Sequence, residues 1–314
     1  MDQSIPNLMV KKMKLLDTLK PSIAYLEKAN IDEPVIEAGM LLLHVSGLDR
    51  LTAYRDNPEV GPEILSEIHK LIGRRAMGEP MQYITGEVDF LDLVIKVGRG
   101  VLIPRPETEI LARETIKEAR GLKSVAQGLR QTAERRTPNF EQYSSLRILD
   151  LCSGSGCIAL ALAREFPDAN IHGIDISGTA VKYAETNAAF NKISNVIFLE
   201  GSLFGPVTTM PVFDLIVSNP PYIRTSEIGT LQREVREWEP LEALDGGMDG
   251  LDFYRKILLG ARSHLSKGGK ILLEAGYDQA GDIAVIAEKS GFKNITLIKD
   301  FSGIERILKA EAPA

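Results

Sequence analysis

From Arg147 to the C-terminus, β-favouring runs alternate with helical ones, and this alternation limits the chain to few folds. The runs Arg147–Leu151, Ile171–Asp175, Val196–Leu199, Phe213–Ser218, Lys270–Glu274, Ile295–Ile298 and Glu305–Leu308 read as strands. Helical spacing fills most of the gaps, at Ile158–Phe166, Thr179–Phe190, Leu251–His264 and Ala280–Lys289. Such a pattern buries both faces of a sheet under its own crossover helices, which predicts an α/β, Rossmann-like, mostly parallel, seven-stranded sheet. The link Lys299–Ile304 is too short for a crossover, so the last strand is expected to run antiparallel.

Upstream the pattern is helical. Leu16, Leu19, Ile23 and Leu26, then Ile36, Met40 and Leu43, then Ile64, Ile68 and Ile72 recur at threes and fours. An N-terminal helical bundle is expected over residues 1–80. Val88, Phe90, Leu93, Ile95 and Val97 then mark a β-hairpin linker over residues 81–106. The third region, 107–314, opens with a helix from Glu107 to Glu118 that carries acidic residues in its first turn. The polar stretch Arg120–Ser145 reads as a partly helical surface loop.

Charge and cysteine usage narrow the function. The net charge of −6 argues against gripping duplex nucleic acid over many phosphates, so no direct nucleic-acid contact is expected. No apolar run approaches the ~18 residues of a membrane span, and Met1–Lys14 lacks a secretory core, which points to a cytoplasmic protein without membrane attachment. Cys152 and Cys157 form no CxxC pair and no histidine cluster accompanies them, so neither metal nor disulfide is expected.

Two features carry the chemistry. Ile148-Leu-Asp-Leu-Cys-Ser-Gly-Ser-Gly156 follows a strand and opens a helix, and its small residues let the backbone approach a ligand. Asp175 ends the next strand, where a carboxylate can accept both hydroxyls of a ribose. Gly154, Gly156 and Ala159 also satisfy the looser dinucleotide pattern, so at this stage an NAD-type dehydrogenase stays open. The second feature is Asn219-Pro220-Pro221-Tyr222, directly after the fourth strand and at the same sheet edge. The prolines stiffen the backbone. The Asn219 side chain and the Pro220 carbonyl can then accept both hydrogens of one NH2 group, while Tyr222 offers a flat wall. An amide nitrogen held in this way turns its lone pair toward an electrophile, and the acceptors stabilise the charge that grows on it. A methyl group already activated as a sulfonium needs little more than placement. The motif alone does not separate a glutamine amide from an adenine amine reached by base flipping.

With these motifs in order, the chain resembles the HemK/PrmC family, the protein-(glutamine-N5) methyltransferases of class 1 peptide chain release factors. The resemblance also rests on Arg74-Arg75-x-x-Gly78-Glu79-Pro80, Ile103-Pro-Arg-Pro-Glu-Thr-Glu109, Glu239-Pro240, Leu273-Glu274-x-Gly276 and Glu305-Arg306. It implies a cofactor, S-adenosylmethionine, leaving as S-adenosylhomocysteine, without a metal. It implies that Cys152, Ser153, Gly154, Ser155 and Gly156 line its methionine and ribose end, that Asp175 holds the ribose, and that Ser202 and Leu203 meet the adenine. Asn219, Pro220, Pro221 and Tyr222 would bind the glutamine of a Gly-Gly-Gln loop, with Asn219, Pro220 and Tyr222 catalytic and Asn219 also near the cofactor. Arg105 and Glu107 would stand at the mouth, and the helical bundle would recognise the release factor. The chain departs from the family at Cys152, where glycine is more usual, and at Ser202, where aspartate is common. The nearest rival reading is the related enzyme that methylates a glutamine of a large-subunit ribosomal protein, whose sequences depart from Pro-Glu-Thr-Glu. A noncatalytic binding module fits the intact loop, Asp175 and Asn219 poorly.

Overall fold

The computed structural model describes residues 12–133, 145–210 and 212–312. Its contacts divide the chain into two compact units, one holding the chain up to Gly86 with Gln232–Trp238, the other holding Glu87–Leu231 and Glu239–Ala314.

The first unit is helical. Strand β1 (Met13–Lys14) leads to α1 (Leu19–Lys28), α2 (Pro34–Ser46) and α3 (Arg50–Asp56). Strand β2 (Glu59–Val60) then pairs antiparallel with β1, and α4 (Pro62–Ala76) and α5 (Met81–Thr85) follow. Pro34 and Pro62 open their helices where the missing N–H costs nothing. Asp49 caps α3 by accepting from the Thr52 N–H at 3.0 Å. The core joins Leu26, Ala38, Leu41, Leu42, Ile68 and Ile72. Ile36 and Met40, which the spacing marks as a stripe, are instead exposed. Helix α2 is apolar almost all round, so periodicity does not select a face there, and packing turns Ala38, Leu41 and Leu42 inward.

Arg75 locks this unit. Only 4% exposed, it pairs with Glu37 of α2, with Glu234 of the helix Arg233–Trp238 at 2.8 Å, and with the Glu79 carbonyl at 3.1 Å. Arg74 and Glu79 form a second pair. The Arg74–Pro80 motif is therefore structural at these positions.

The second unit begins with a hairpin of β3 (Glu87–Phe90) and β4 (Leu93–Lys96), turned at Leu91 with φ +53°. Helix α6 runs Pro106–Ala133, well past the Glu118 end expected from sequence. No proline interrupts the stretch, and Leu122, Val125 and Leu129 keep helical spacing within its polar composition. Residues 134–144 of the stretch read as a surface loop lie outside the described residues. The chain continues as β5 (Arg147–Leu151), α7 (Cys157–Glu165), β6 (Asn170–Asp175), α8 (Gly178–Phe190), β7 (Val196–Glu200) and β8 (Phe213–Ser218). Helices α9 (Arg233–Trp238) and α10 (Asp252–His264), β9 (Leu265–Glu274), α11 (Ala280–Lys289), β10 (Lys293–Lys299) and β11 (Glu305–Glu311) complete it.

The strand order is β10-β11-β9-β8-β5-β6-β7, with β11 antiparallel to both neighbours and the remaining pairs parallel. This is the seven-stranded class expected from the alternation. Leu149, Ile216 and Ile271 pack against Tyr254, Ile257 and Leu258 of α10. Each such apolar side chain contributes ~1.5–3 kcal/mol by leaving water. Glu118 of α6 takes Lys270 of β9 and Lys309 of β11 as partners, which fixes the helix against the sheet. The chain winds from β5 out to β7 and returns to β8 on the other side of β5, so the order reverses between β5 and β8. At such a reversal the crossovers diverge and leave a crevice beyond the carboxyl ends of the strands.

Candidate active site

The loop after β5 is wound tightly. Cys152, Gly154 and Gly156 all have positive φ, at +57°, +54° and +81°. The alternation turns Cys152 and Gly154 outward and buries Ser153, Ser155 and Gly156 behind them. A side chain at Gly154 would meet nothing within 4 Å, because that space is open cleft. At Gly156 a Cβ would come within 2.8 Å of the Phe198 ring, so glycine lets α7 begin against β7. Cys152 occupies a conformation that costs most side chains ~1–2 kcal/mol. Burial raises its thiol pKa far above the usual range, so it stands in the cleft wall as a neutral group.

Asp175 closes this end. Its Oδ2 accepts from the Gly154 N–H at 2.8 Å and its Oδ1 from the Ser177 N–H at 2.9 Å, leaving a further lone pair on each oxygen. Burial raises its pKa, the two amides oppose that, and Glu242 adds repulsion.

Together these residues line a cleft that opens to solvent. Cys152, Gly154, Asp175, Ser202, Leu203, Asn219 and Pro221 form part of its wall. Pro220 and Tyr222 do not line this cleft. Sequence reading missed the Gly100–Leu102 segment, Ile176, Ser177, Glu242 and Phe253, which also line it. It missed Asn187 as well. This fully buried residue of α8 donates to the Ser155 and Lys96 carbonyls at 3.0 Å and accepts from the Lys96 N–H, tying the glycine loop to the hairpin. Nothing in the local pattern of α8 distinguishes it from a surface asparagine.

The Asn219–Tyr222 turn adjoins the cleft. Asn219 donates from Nδ2 to the Thr108 hydroxyl at 3.1 Å. Its Oδ1 and the Pro220 carbonyl accept no hydrogen bond from the described residues. Gln279 holds the turn by donating to the Tyr222 carbonyl at 2.9 Å. The Tyr222 ring packs against the core of the sheet, and burial keeps its hydroxyl neutral. Arg105 pairs with the deeply buried Glu239, which also accepts from the Ile103 N–H at 3.2 Å, so the Pro-Arg-Pro and Glu-Pro motifs hold one another. Arg105 and Glu107 both act on the charge of Glu274, the buried end of β9. Burial pushes the Glu274 pKa up to about 7.

Among the described residues no helix is long and apolar enough to cross a membrane. A glycine loop, a strand-end acid and a pair of free acceptors thus share one sheet edge.

Known proteins carry the same arrangement of sequence. The family model described as Methyltransferase small domain matches residues 132–235, and the PrmC N-terminal domain matches residues 17–86. The release factor glutamine methyltransferase of Thermodesulfovibrio yellowstonii is 47% identical over 272 residues, covering 87% of this chain and 90% of that protein. The one from Geobacter sulfurreducens is 39% identical over 94% of each chain. A solved structure of a release factor-specific protein-(glutamine-N5) methyltransferase from Alicyclobacillus acidocaldarius is 26% identical. It covers 70% of this chain and all of that one, with a TM-score of 0.38. With matches of this identity running nearly end to end on both sides, the chain belongs to the release factor glutamine methyltransferase family, and it is a methyltransferase.

Proposed function

We propose that this enzyme moves the methyl group of S-adenosylmethionine to the side-chain amide nitrogen of a glutamine, within the Gly-Gly-Gln loop of a class 1 peptide chain release factor. One observation carries the reading. Asn219 Oδ1 and the Pro220 carbonyl are adjacent acceptors without donors among the described residues, beside a cleft that holds the Asp175 carboxylate. One NH2 group satisfies both.

S-adenosylmethionine, when bound, supplies a sulfonium-activated methyl group. Asp175 would accept its ribose hydroxyls, and the open space at Gly154 leaves room for the methionine end. Leu203 and Phe253 would cover the adenine, with the exposed Ser202 hydroxyl as a weaker partner than a carboxylate for its amino group. At the turn, the two acceptors would orient the amide nitrogen and stabilise its developing positive charge, while Tyr222 walls the site. The excess proton then leaves to solvent, so placement and electrostatics suffice. The helical unit exposes Val35, Ile36 and Met40 on α2 and Leu51 and Tyr54 on α3. Apolar groups of this kind are what a protein partner covers, which supports the helical unit as the release-factor contact. A translation factor as substrate places the enzyme in the cytoplasm, and the acidic net charge supports action without direct nucleic-acid contact.

The test is incubation with methyl-labelled S-adenosylmethionine and full-length release factor, followed by peptide mass spectrometry. Label is expected on the Gly-Gly-Gln peptide. Label on a ribosomal protein or on DNA, with release factor untouched, overturns the reading. Asn219→Ala is expected to lower kcat by about two orders of magnitude while leaving cofactor affinity nearly intact.

A further inference from the structure

The cleft wall draws on stretches of chain far apart in sequence. They include the glycine loop after β5, the Gly100–Leu102 segment after β4, and the start of α8 at Ser177 and Ala180. Such a cleft fits a ligand only if its pieces are held at fixed spacing.

One row of α8 side chains sets that spacing. Thr179, Tyr183 and Asn187 lie in the helix and Asn191 caps its C-terminus. They are four residues apart, so they share a face at steps of ~6.0 Å. Val94, Lys96, Gly98 and Gly100 are two apart, at steps of ~6.6 Å in extended chain. The two rows meet step for step, running in opposite directions. Asn191 Nδ2 donates to the Val94 carbonyl at 2.8 Å. Asn187 takes both backbone groups of Lys96, accepting from its N–H at 2.6 Å and donating to its carbonyl at 3.0 Å. A Cβ on Gly98 would collide with the Tyr183 hydroxyl, and one on Gly100 would come within 2.9 Å of the Thr179 methyl. Glycine thus stands where the chain comes closest to the helix. The Val101 N–H then donates to the Gly98 carbonyl at 3.3 Å, which turns Gly100–Leu102 into the cleft wall.

Asn187 joins this row to the glycine loop. Its second amide hydrogen goes to the Ser155 carbonyl at 3.0 Å. Its two donors meet two carbonyls and its oxygen meets one N–H, so a single carboxamide is matched to three backbone groups. The site is fully buried, where a polar group is costly unless each of its atoms is paired. The loop is pinned at consecutive residues, Gly154 by Asp175 and Ser155 by Asn187. We infer that Asn187 and Tyr183 are positioning residues for cofactor binding, which set the width of the cleft by placing the glycine loop and the Gly100–Leu102 segment against one face of α8.

This inference rests on reading the cleft as the S-adenosylmethionine site, and the experiment separates the two. Asn187→Asp, Gly98→Ala, Tyr183→Phe and the Gly98→Ala/Tyr183→Phe pair are compared in the full chain. Calorimetry with S-adenosylhomocysteine gives affinity, and steady-state kinetics on full-length release factor gives KM and kcat. Asn187→Asp is nearly equal in shape, keeps the acceptor and loses both donors. It is expected to weaken affinity about tenfold or more, the scale of one lost buried hydrogen bond. The loss is expected in KM for S-adenosylmethionine, with kcat at saturation changed less than about threefold. Gly98→Ala is expected to weaken affinity in the same way, and Tyr183→Phe, by removing the colliding hydroxyl, to restore most of it. A general loss of stability would not be repaired by that second change. If Asn187→Asp does not fold, the Gly98 and Tyr183 variants decide alone. Wild-type affinity in folded Asn187→Asp, a loss confined to kcat, or a Gly98→Ala loss that Tyr183→Phe leaves in place overturns the inference while leaving the cofactor reading intact. Absence of S-adenosylhomocysteine binding in the wild-type enzyme removes the cofactor reading and the inference with it.

Discussion

Replacing Asp175 by alanine tests the cofactor end of the cleft. In the free enzyme each carboxylate oxygen accepts one backbone N–H, from Gly154 and from Ser177. Each keeps one lone pair for a ribose hydroxyl. Hydrogen bonds to a charged group contribute ~1.5–3 kcal/mol each. The carboxylate is only half-buried, so the lower value applies to both, ~3 kcal/mol together. That is about a 150-fold loss of affinity. Calorimetry with S-adenosylhomocysteine reads it without turnover. The ribose lies away from the transferred methyl, so its contacts are equal in ground and transition states. At saturating cofactor kcat is therefore expected to stay close to wild type. The raised pKa of Asp175 adds a sign. Binding needs the charged form, so affinity falls on acidification, and does so at a higher pH than an ordinary aspartate would give. A Kd changed less than about threefold, the scale of a lost exposed contact, would refute the ribose role.

Arg75→Ala removes the cation from Glu37 and Glu234 and is expected to destabilise the helical unit by about 3 kcal/mol, since the pair with Glu37 is buried and that with Glu234 is partly screened. Hydrogen exchange of α4 amides checks it, and a loss under ~1 kcal/mol would make the pairs surface ornaments. Glu274→Gln is expected to stabilise the free enzyme at pH 8 and little at pH 4.5. The folded carboxyl binds its proton near pH 7 against an ordinary 4.5, so its contribution to stability is full below 4.5 and lost as pH rises through 7. Thermal melts at both pH values decide this, and equal shifts would be the wrong answer.

The sheet was legible because its signals are local and repeated. Each strand run from Arg147 onward is bounded by turns, and the short link before Glu305 permits only an antiparallel return. Asp175 and Asn219 were legible because strand ends at one edge must share a cleft. Thr108 and Asn187 were not legible. Each matters through a partner far away in sequence, and a buried threonine or asparagine on a helix has the same local pattern as an exposed one. Phe253 and Glu242 were missed for the same reason, since only the folded loops bring them to the cleft. The face of α2 escaped because an all-round apolar helix has no preferred side until its neighbours are in place.

The helical unit draws Gln232–Trp238 from beyond the fourth sheet strand. A ribosome makes Arg75 and Glu37 early and Glu234 only after most of the sheet has emerged. The helical unit must wait half-locked during synthesis, with one of its two carboxylate partners still missing. A fragment ending at Gly86 would be frozen in that state, and the first-made part is completed only from within the span of the second.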